Sequence, residues 1–194
     1  MKAMKSILRY IYSKLRILSP FVYYLIQYKR AAIKLDRTGG NVQYKKIFEE
    51  FIESCESKSC LQIGVKDNVG KKYGSNWVSV DKFDMRDFID YHYDIHDLPF
   101  ENESFDAVVC ISILEHVPYP LKAISELKRV LKPGGKIWVQ LPWLYPYHEA
   151  PKDYWRASPD GLRIWMEDFK EISCGIDLWD ETYFSIATYF YGEK

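Results

Sequence analysis

The chain has 194 residues, of which 47% are hydrophobic and 28% are charged. This length fits one domain with a short extension, and the composition excludes a disordered or fibrous protein. The formal net charge is zero, but residues 1–40 hold nine Lys or Arg and a single acid, Asp36. The remaining residues hold 18 basic and 26 acidic side chains. Because nucleic-acid binding needs a basic footprint, this acidic balance argues against a nucleic-acid partner.

The cysteines give no sign of a disulfide framework or a zinc site. None of the four forms a C-x-x-C pair, and no histidine lies near them at zinc-ligand spacing: Cys55, Cys60, Cys110 and Cys174. We therefore expect reduced thiols, no metal site and a cytoplasmic chain.

Residues 2–18 predict an amphipathic helix. Apolar side chains recur there at helical spacing: Ile7, Leu8, Ile11, Leu15 and Leu18. Lysines and arginines fall largely on the other positions of this segment. Pro20 breaks or kinks the helix, because proline cannot continue a helical hydrogen-bond ladder.

The N-terminal segment is too polar to be read as a membrane span. Its uncharged run, residues 17–28, is shorter than the ~20 apolar residues that a spanning helix needs. No signal-peptide cleavage site follows it. We expect residues 1–40 to form a basic helical extension. It either packs on the domain or on a second copy in a homo-oligomer, or it lies on the inner face of a membrane through residues 2–30.

Strands and helices alternate through residues 41–194, which we assign to one domain. Hydrophobic runs predict strands at residues 60–63, 77–80, 107–111, 136–141, 172–176 and 184–191. Periodic segments predict helices at residues 44–54, 121–131 and 158–166. This alternation indicates an α/β fold with a mostly parallel sheet and helices on both faces. In such sheets ligands bind beyond the carboxyl ends of the strands.

Four segments in fixed order carry a family resemblance. They are DIHDLPF at 94–100, SFDAVVC at 104–110, LEHV at 114–117 and ELKRVLKPGG at 126–135. Together they resemble the class I S-adenosylmethionine-dependent methyltransferases, and more narrowly the type 11 group, over residues 60–169. The resemblance implies a Rossmann-like seven-stranded sheet and S-adenosylmethionine as the cofactor.

Acidic residues after two of the strands fit a nucleoside. Asp81 ends the second strand, where a carboxylate can accept hydrogen bonds from a ribose diol; the alternative is that it caps a helix over residues 82–88. The resemblance implies that Asp94 accepts from the adenine amino group. It also implies that Ile95 packs on the adenine ring and that His96 lines the rim of the site.

The resemblance assigns the residues after the third strand to the reacting end of the cofactor. Ile111 and Ser112 lie where the family positions methionine and substrate. His116 follows in the Leu-Glu-His segment. In many relatives this histidine is structural or contacts the substrate, and a catalytic base is a further interpretation.

The first glycine motif departs from the family pattern. Gly64 is kept, but Gln62 stands where the family has an acid, and Lys66 stands where it has a second glycine. Gln62 can still accept and donate hydrogen bonds near the methionine end of the cofactor, but it carries no charge. Lys66 adds a positive charge near a positively charged sulfonium.

Residues 142–156 are rich in proline and aromatics and leave the ligand side of the sheet. This segment resembles one in methyltransferases of glycan and polysaccharide pathways. Tyr147 and Tyr154 suit stacking on sugar rings, and Asp153 with Arg156 suits contacts to hydroxyls or phosphates. The alternative is a structural loop that an Asp153–Arg156 pair pins in place.

We predict an O-methyltransferase that acts on a small molecule or glycan, either a sugar or a lipid- or nucleotide-linked glycan. His148 is the predicted catalytic base, because imidazole exchanges a proton near neutral pH. A non-catalytic scaffold with this fold is the first alternative, since Gln62 and Lys66 alter the cofactor loop. An N-methyltransferase that acts on a small amine or a protein is the second.

Overall fold

A computed structural model describes residues 2–36, 42–64, 74–178 and 186–194. The helices are α1 (Lys2–Leu18), α2 (Pro20–Asp36), α3 (Val42–Glu53), α4 (Pro120–Val130) and α5 (Pro159–Trp165). The strands are β1 (Cys60–Ile63), β2 (Trp77–Val80), β3 (Phe105–Ile111), β4 (Leu131–Leu144), β5 (Lys170–Leu178) and β6 (Ile186–Glu193). A short 3-10 turn spans Leu114–His116.

The strands form one sheet in the order β2-β1-β3-β4-β6-β5. Strands β2, β1, β3 and β4 are parallel neighbours, whereas β6 runs antiparallel to both β4 and β5. The predicted Rossmann-like α/β architecture is therefore present. The predicted count of seven strands is wrong for the described part of the chain, which has six. Beyond β2 the chain makes only a single parallel bridge, between Val80 and Tyr91, because the segment after β2 consists of short turns.

The two faces of the sheet carry separate cores. Successive residues of β4 alternate between these faces, as a strand requires. Ile137 packs with Leu127 of α4 on one face. Trp138 packs with Phe51 of α3 on the other, and its ring stacks on Tyr189 with a centroid distance of 5.1 Å. Each of these side chains is buried, and each contributes roughly 1.5–3 kcal/mol to folding. Packing on both faces of the sheet thus fixes the carboxyl ends of the strands, beyond which ligands bind in such sheets.

The start of β4 is irregular. The strand begins at Leu131, five residues earlier than predicted, and its register against β3 shifts between Phe105 and Ala107. Gly134 adopts a φ of 72° within this shift, and its amide donates to the carbonyl of Lys194 at 2.8 Å. The Pro-Gly-Gly turn therefore joins the sheet to the last residue of the chain.

Local sequence signals set where two of the helices begin. The hydroxyl of Ser158 caps α5 by accepting a hydrogen bond from the amide of Gly161 at 3.2 Å. The predicted helix α1 is confirmed, and α2 starts at Pro20 after a break at Ser19, since proline is tolerated at the first helical position. Among the described residues no helix is both long and apolar enough to cross a membrane.

Candidate active site

A cleft of about 1040 Å³ opens at the carboxyl ends of β1, β2 and β3. This volume lies at the upper end of the usual range for ligand sites, so it has room for a cofactor and an acceptor. Ten of the predicted site residues line the cleft: Gly64, Asp81, Asp94, Ile95, His96, Ile111, Ser112, His116, His148 and Tyr154. The structure does not bring the other four to its lining: Gln62, Tyr147, Asp153 and Arg156.

The backbone turns sharply where β1 ends. Gly64 has a φ of 75°, which side chains other than glycine rarely adopt. A Cβ atom placed on Gly64 would lie 2.4 Å from the side chain of Ile113, so the turn also needs a residue without a side chain for space. Gln62 is buried behind this turn, and its Nε2 donates to the carbonyl of Gly64 at 3.1 Å. Gln62 therefore supports the loop from behind instead of entering the cleft. Lys66 lies outside the described residues.

Asp81 caps a turn and not a helix. Its Oδ1 accepts hydrogen bonds from the amides of Phe83 and Asp84, both at 2.9 Å. The helix over residues 82–88 that we considered as an alternative is absent from this described segment, which forms bends and turns. The carboxylate is fixed at the cleft wall by its own loop.

Asp94 is the centre of a small polar cluster on the same wall. Its Oδ1 accepts from the backbone amide of His96 at 2.9 Å and from the His96 Nδ1 at 2.7 Å, and Lys82 Nζ donates to its Oδ2 at 2.8 Å. Partial burial acts to raise the pKa of Asp94, but these hydrogen bonds outweigh it and hold the pKa well below its usual range. Because His96 donates through Nδ1, its buried Nε2 is an acceptor, and no described residue donates to it.

Ser112 lies at the end of β3 in a strained conformation. Its φ is 56°, which is uncommon for a residue with a side chain, and its amide donates to the carbonyl of Gln140 at 2.8 Å. This geometry turns the chain away from the sheet between Ile111 and the Leu114–His116 turn. Strain of this kind is typical of positions that a site needs in one conformation.

The loop after β4 forms the other end of the cleft, where Tyr145, His148 and Tyr154 contribute aromatic rings. Tyr147 lies outside this wall; its side chain is exposed, and its hydroxyl donates to Glu149 at 2.8 Å. Tyr154 is also tied down through its backbone, because its amide donates to the carbonyl of Glu115 at 2.7 Å.

Asp153 and Arg156 pair with each other beneath this loop. The Asp153 side chain is 1% exposed, and Arg156 Nη2 donates to its Oδ2 at 2.6 Å. The same oxygen accepts from the amide of His148 at 2.8 Å. The Arg156 guanidinium lowers the pKa of Asp153 to about 2, against the effect of burial. The pair thus matches our alternative of a structural pin, and it holds His148 in the cleft wall.

Glu115 is a site residue that sequence reasoning missed. Its carboxyl group is completely buried, and within the described residues neither oxygen has a hydrogen-bond partner. Burial raises the pKa of Glu115 to about 8. The neighbouring His116 is partly buried, which lowers its pKa, and its Nδ1 lies 2.5 Å from the carbonyl oxygen of Lys152. The only sequence signal was the position of Glu115 next to a histidine.

Known proteins resemble this chain in sequence over its central part. A model of the methyltransferase domain matches residues 67–139. The tRNA U34 carboxymethyltransferase of Campylobacter fetus is 30% identical over 87 residues, which cover 39% of this chain and 31% of that protein. The ubiquinone biosynthesis O-methyltransferase of Xanthomonas oryzae is 47% identical over 53 residues, which cover 26% of this chain and 22% of that protein. These matches span less than a third of each relative.

Solved structures share the fold over a longer stretch. A methyltransferase from Methanosarcina mazei, described as S-adenosylmethionine-dependent, superposes with a TM-score of 0.57 at 15% identity, covering 72% of this chain and 93% of that one. At this identity the likeness shows the fold alone. With the sequence matches, it supports the predicted S-adenosylmethionine-dependent methyltransferase domain and its cofactor.

The Asp153–Arg156 pair is expected to be energetically coupled, because removing Arg156 leaves the buried Asp153 carboxylate without its charged partner. The variants Asp153→Ala, Arg156→Ala and the double variant should give a coupling free energy of about 2 kcal/mol in urea unfolding. Asp160 and Arg163 provide a matched control with the same spacing, since their side chains are 93% and 40% exposed. Their coupling should stay below about 0.5 kcal/mol. Similar coupling in both pairs would contradict the role of a buried pin.

Proposed function

We propose that this chain transfers a methyl group from S-adenosylmethionine to a hydroxyl group of a lipid-linked glycan. The cofactor supplies a methyl group bound to a positively charged sulfur. The observation that carries the proposal is the cleft itself, which is lined by Asp81, Asp94 and Ile95 at one end and by aromatic side chains with two histidines at the other.

The chain's own residues fit the cofactor. Gly64 lines the cleft at the end of β1, where its positive φ turns the backbone toward the methionine end of a cofactor. Asp81 is positioned for the ribose diol, and Ile95 for the face of adenine. The buried Nε2 of His96 lacks a donor within the described structure, and the adenine amino group can supply one. Asp94 orients the His96 imidazole by accepting a hydrogen bond from its Nδ1.

The acceptor end suits a hydroxyl that has to be aligned and deprotonated. Alignment supplies much of the catalysis in an in-line displacement at carbon. His148 remains the predicted base: its Nδ1 faces the carbonyl oxygen of Pro146 at 3.2 Å, so that nitrogen carries the proton and Nε2 is the basic atom. The ring is one-third exposed, which leaves room for an acceptor beside it.

Charge and shape at the acceptor end favour a lipid-linked glycan. Tyr145 and Tyr154 offer aromatic faces to sugar rings, while Lys122 and Lys152 offer positive charge to a linking phosphate. A second groove, of about 420 Å³, begins at the shared residue Tyr145. It is lined mainly by apolar side chains of α2 and β4: Phe21, Tyr24, Leu25, Trp143, Leu144 and Pro146. We assign this groove to the lipid chain.

The helical extension fits the same acceptor. Exposed apolar side chains on α1 and α2 alternate with lysines and arginines, as in helices that lie in a membrane interface: Ile7, Tyr10, Ile11, Ile17, Phe21 and Tyr24. We propose that this surface rests on the membrane that holds the lipid-linked substrate, which makes the chain a peripheral protein of the inner face.

One observation favours a competing function, a non-catalytic scaffold. Gln62 stands where the family has an acid, and its side chain donates a hydrogen bond to the carbonyl of Gly64. The loss of that charge weakens attraction for the sulfonium end of the cofactor. Cofactor binding therefore separates the two functions.

Asp81→Ala is expected to weaken binding of S-adenosylmethionine by about tenfold, because the carboxylate that receives the ribose hydroxyls is lost. Isothermal titration calorimetry measures the affinity of the parent chain and the variant. Asp87→Ala is the matched control, since Asp87 is an exposed acid of the same loop that does not line the cleft. Absence of binding to the parent chain at millimolar cofactor would overturn the proposed function.

Methyl transfer is expected to label a lipid-linked sugar. The chain, radiolabelled S-adenosylmethionine and a lipid extract of its source cells should give a product that partitions into butanol and releases labelled sugar under mild acid. Phe21→Ser should reduce labelling several-fold by removing an apolar wall of the groove, whereas Ile164→Ser, at an exposed apolar residue of α5 outside the groove and the helical extension, should not. Label recovered as an N-methyl amine, or in water-soluble sugar only, would contradict the lipid-linked O-acceptor.

A further inference from the structure

Three side chains with metal-binding atoms meet at the acceptor end of the cleft. Glu115 and His116 lie on the short turn after β3, and His148 lies on the loop after β4. One ligand atom from each lies within 4.8 Å of the other two. The rings of His116 and His148 are 4.9 Å apart between centroids and nearly perpendicular. Segments distant in sequence thus present a carboxylate and two imidazoles to one point.

Hydrogen bonds fix both imidazoles in the same tautomer. His116 Nδ1 lies 2.5 Å from the Lys152 carbonyl oxygen, and a carbonyl can only accept, so Nδ1 carries the proton. His148 Nδ1 likewise faces the Pro146 carbonyl at 3.2 Å and the Asp153 carboxylate at 3.3 Å. These two acceptors outweigh Arg156, whose Nη2 is 3.4 Å from the same nitrogen. Both Nε2 lone pairs are therefore available to a ligand.

This is the arrangement in which histidines bind metals. A metal-binding imidazole usually donates its other N–H to a carbonyl or carboxylate, which orients the ring. Here His116 donates to a carbonyl, and His148 donates to a carbonyl while its Nδ1 lies 3.3 Å from the buried Asp153 carboxylate. The contacts at Nδ1 that orient a metal-binding histidine are thus already present.

Glu115 is the independent sign of a missing ligand. Its side chain is fully buried, and among the described residues both oxygens lack a hydrogen-bond partner. The nearest basic atom, His116 Nε2, is 3.6 Å from Oε1, too far for a hydrogen bond. A buried carboxyl group without a hydrogen-bond partner is costly, whereas a cation between it and the imidazoles would bind its ionised form.

We propose that Glu115, His116 and His148 bind one divalent transition-metal ion. Two imidazoles and a carboxylate suit borderline ions such as Zn²⁺, Co²⁺ or Mn²⁺ better than Mg²⁺, which prefers oxygen ligands. Ligands at about 2.1 Å from an ion lie roughly 3.4 Å apart in tetrahedral geometry, so the side chains draw together by about 1 Å on binding. The sequence predicted no metal site, since no histidine lies near the cysteines at zinc-ligand spacing and Glu115 and His148 are distant in the chain.

The role of the ion rests on the proposed function, although its binding does not. Open coordination positions face the cleft, because His116 and His148 both line it. They can bind an acceptor hydroxyl and lower its pKa, so its proton passes to water while the oxygen attacks the methyl carbon and the carbon–sulfur bond breaks. His148 is then a metal ligand and not the proton acceptor.

Calorimetric titration of tag-free, chelator-stripped protein with Zn²⁺ tests the site directly. We expect one ion per chain and at least tenfold weaker affinity in Glu115→Gln and in His148→Ala. His92→Ala is the matched control, since His92 is exposed and outside the cluster, and its affinity should equal that of the parent chain. Long-range ¹H–¹⁵N spectra of the imidazoles should show Zn²⁺ shifting Nε2 of His116 and His148 while each Nδ1 keeps its proton.

The outcomes separate the metal site from the proposed function. Glu115→Gln preserves shape, so its stripped form should melt no lower than the stripped parent, and only the parent should gain thermal stability from Zn²⁺. No binding to the parent at 1 mM Zn²⁺, or equal affinity in all variants, would overturn the metal site. A parallel titration with S-adenosylmethionine reports on the proposed function by itself, because the cofactor residues lie at the other end of the cleft.

Discussion

Asp153 lies beneath the loop that follows β4, where its carboxylate receives Arg156 and the backbone amide of His148. The pair holds a proline-rich loop that has no secondary structure of its own against the ends of the strands. Two further contacts depend on it, because the amide of Tyr154 reaches Glu115 and the carbonyl of Lys152 reaches His116. The histidine end of the cleft is thus built on one ion pair, in which the Asp153 carboxylate is buried and the Arg156 side chain is 24% exposed. Leaving that buried carboxylate without its charged partner is costly.

Backbone turns at the ends of β1 and β3 shape the opposite end of the cleft. Gly64 and Ser112 both have positive φ, and they turn the chain away from the sheet at the ends of β1 and β3. Asp81 and Asp94 are then fixed by hydrogen bonds within their own loops. The cleft therefore joins a wall of backbone turns and fixed carboxylates to an aromatic loop that the Asp153–Arg156 pair holds in place.

Much of this arrangement follows from the sequence. Apolar runs such as Val108–Cys110 and the Ser158-Pro159 signal locate strands and helices, and four ordered segments identify the fold. The seven-stranded sheet that the resemblance implies is not found, since the described residues form six strands and, beyond β2, an isolated bridge between Val80 and Tyr91. Contacts between distant parts of the fold could not be predicted from the local sequence pattern. Asp153 forms an ion pair with Arg156 instead of facing the cleft. Glu115 is a candidate site residue because residues distant in the chain bury it. Such effects depend on tertiary contacts, which composition and residue spacing do not reveal.

The central claim is that one cleft binds the cofactor at Gly64, Asp81 and Asp94 and the acceptor beside His116 and His148. A crystal structure of the chain with S-adenosylhomocysteine tests it most directly. The account predicts adenine against Ile95, ribose hydroxyls on the Asp81 carboxylate, and the sulfur facing the space between Ser112 and His148. A ligand bound elsewhere, or one in the cleft with its adenine at the histidine end, would contradict the account.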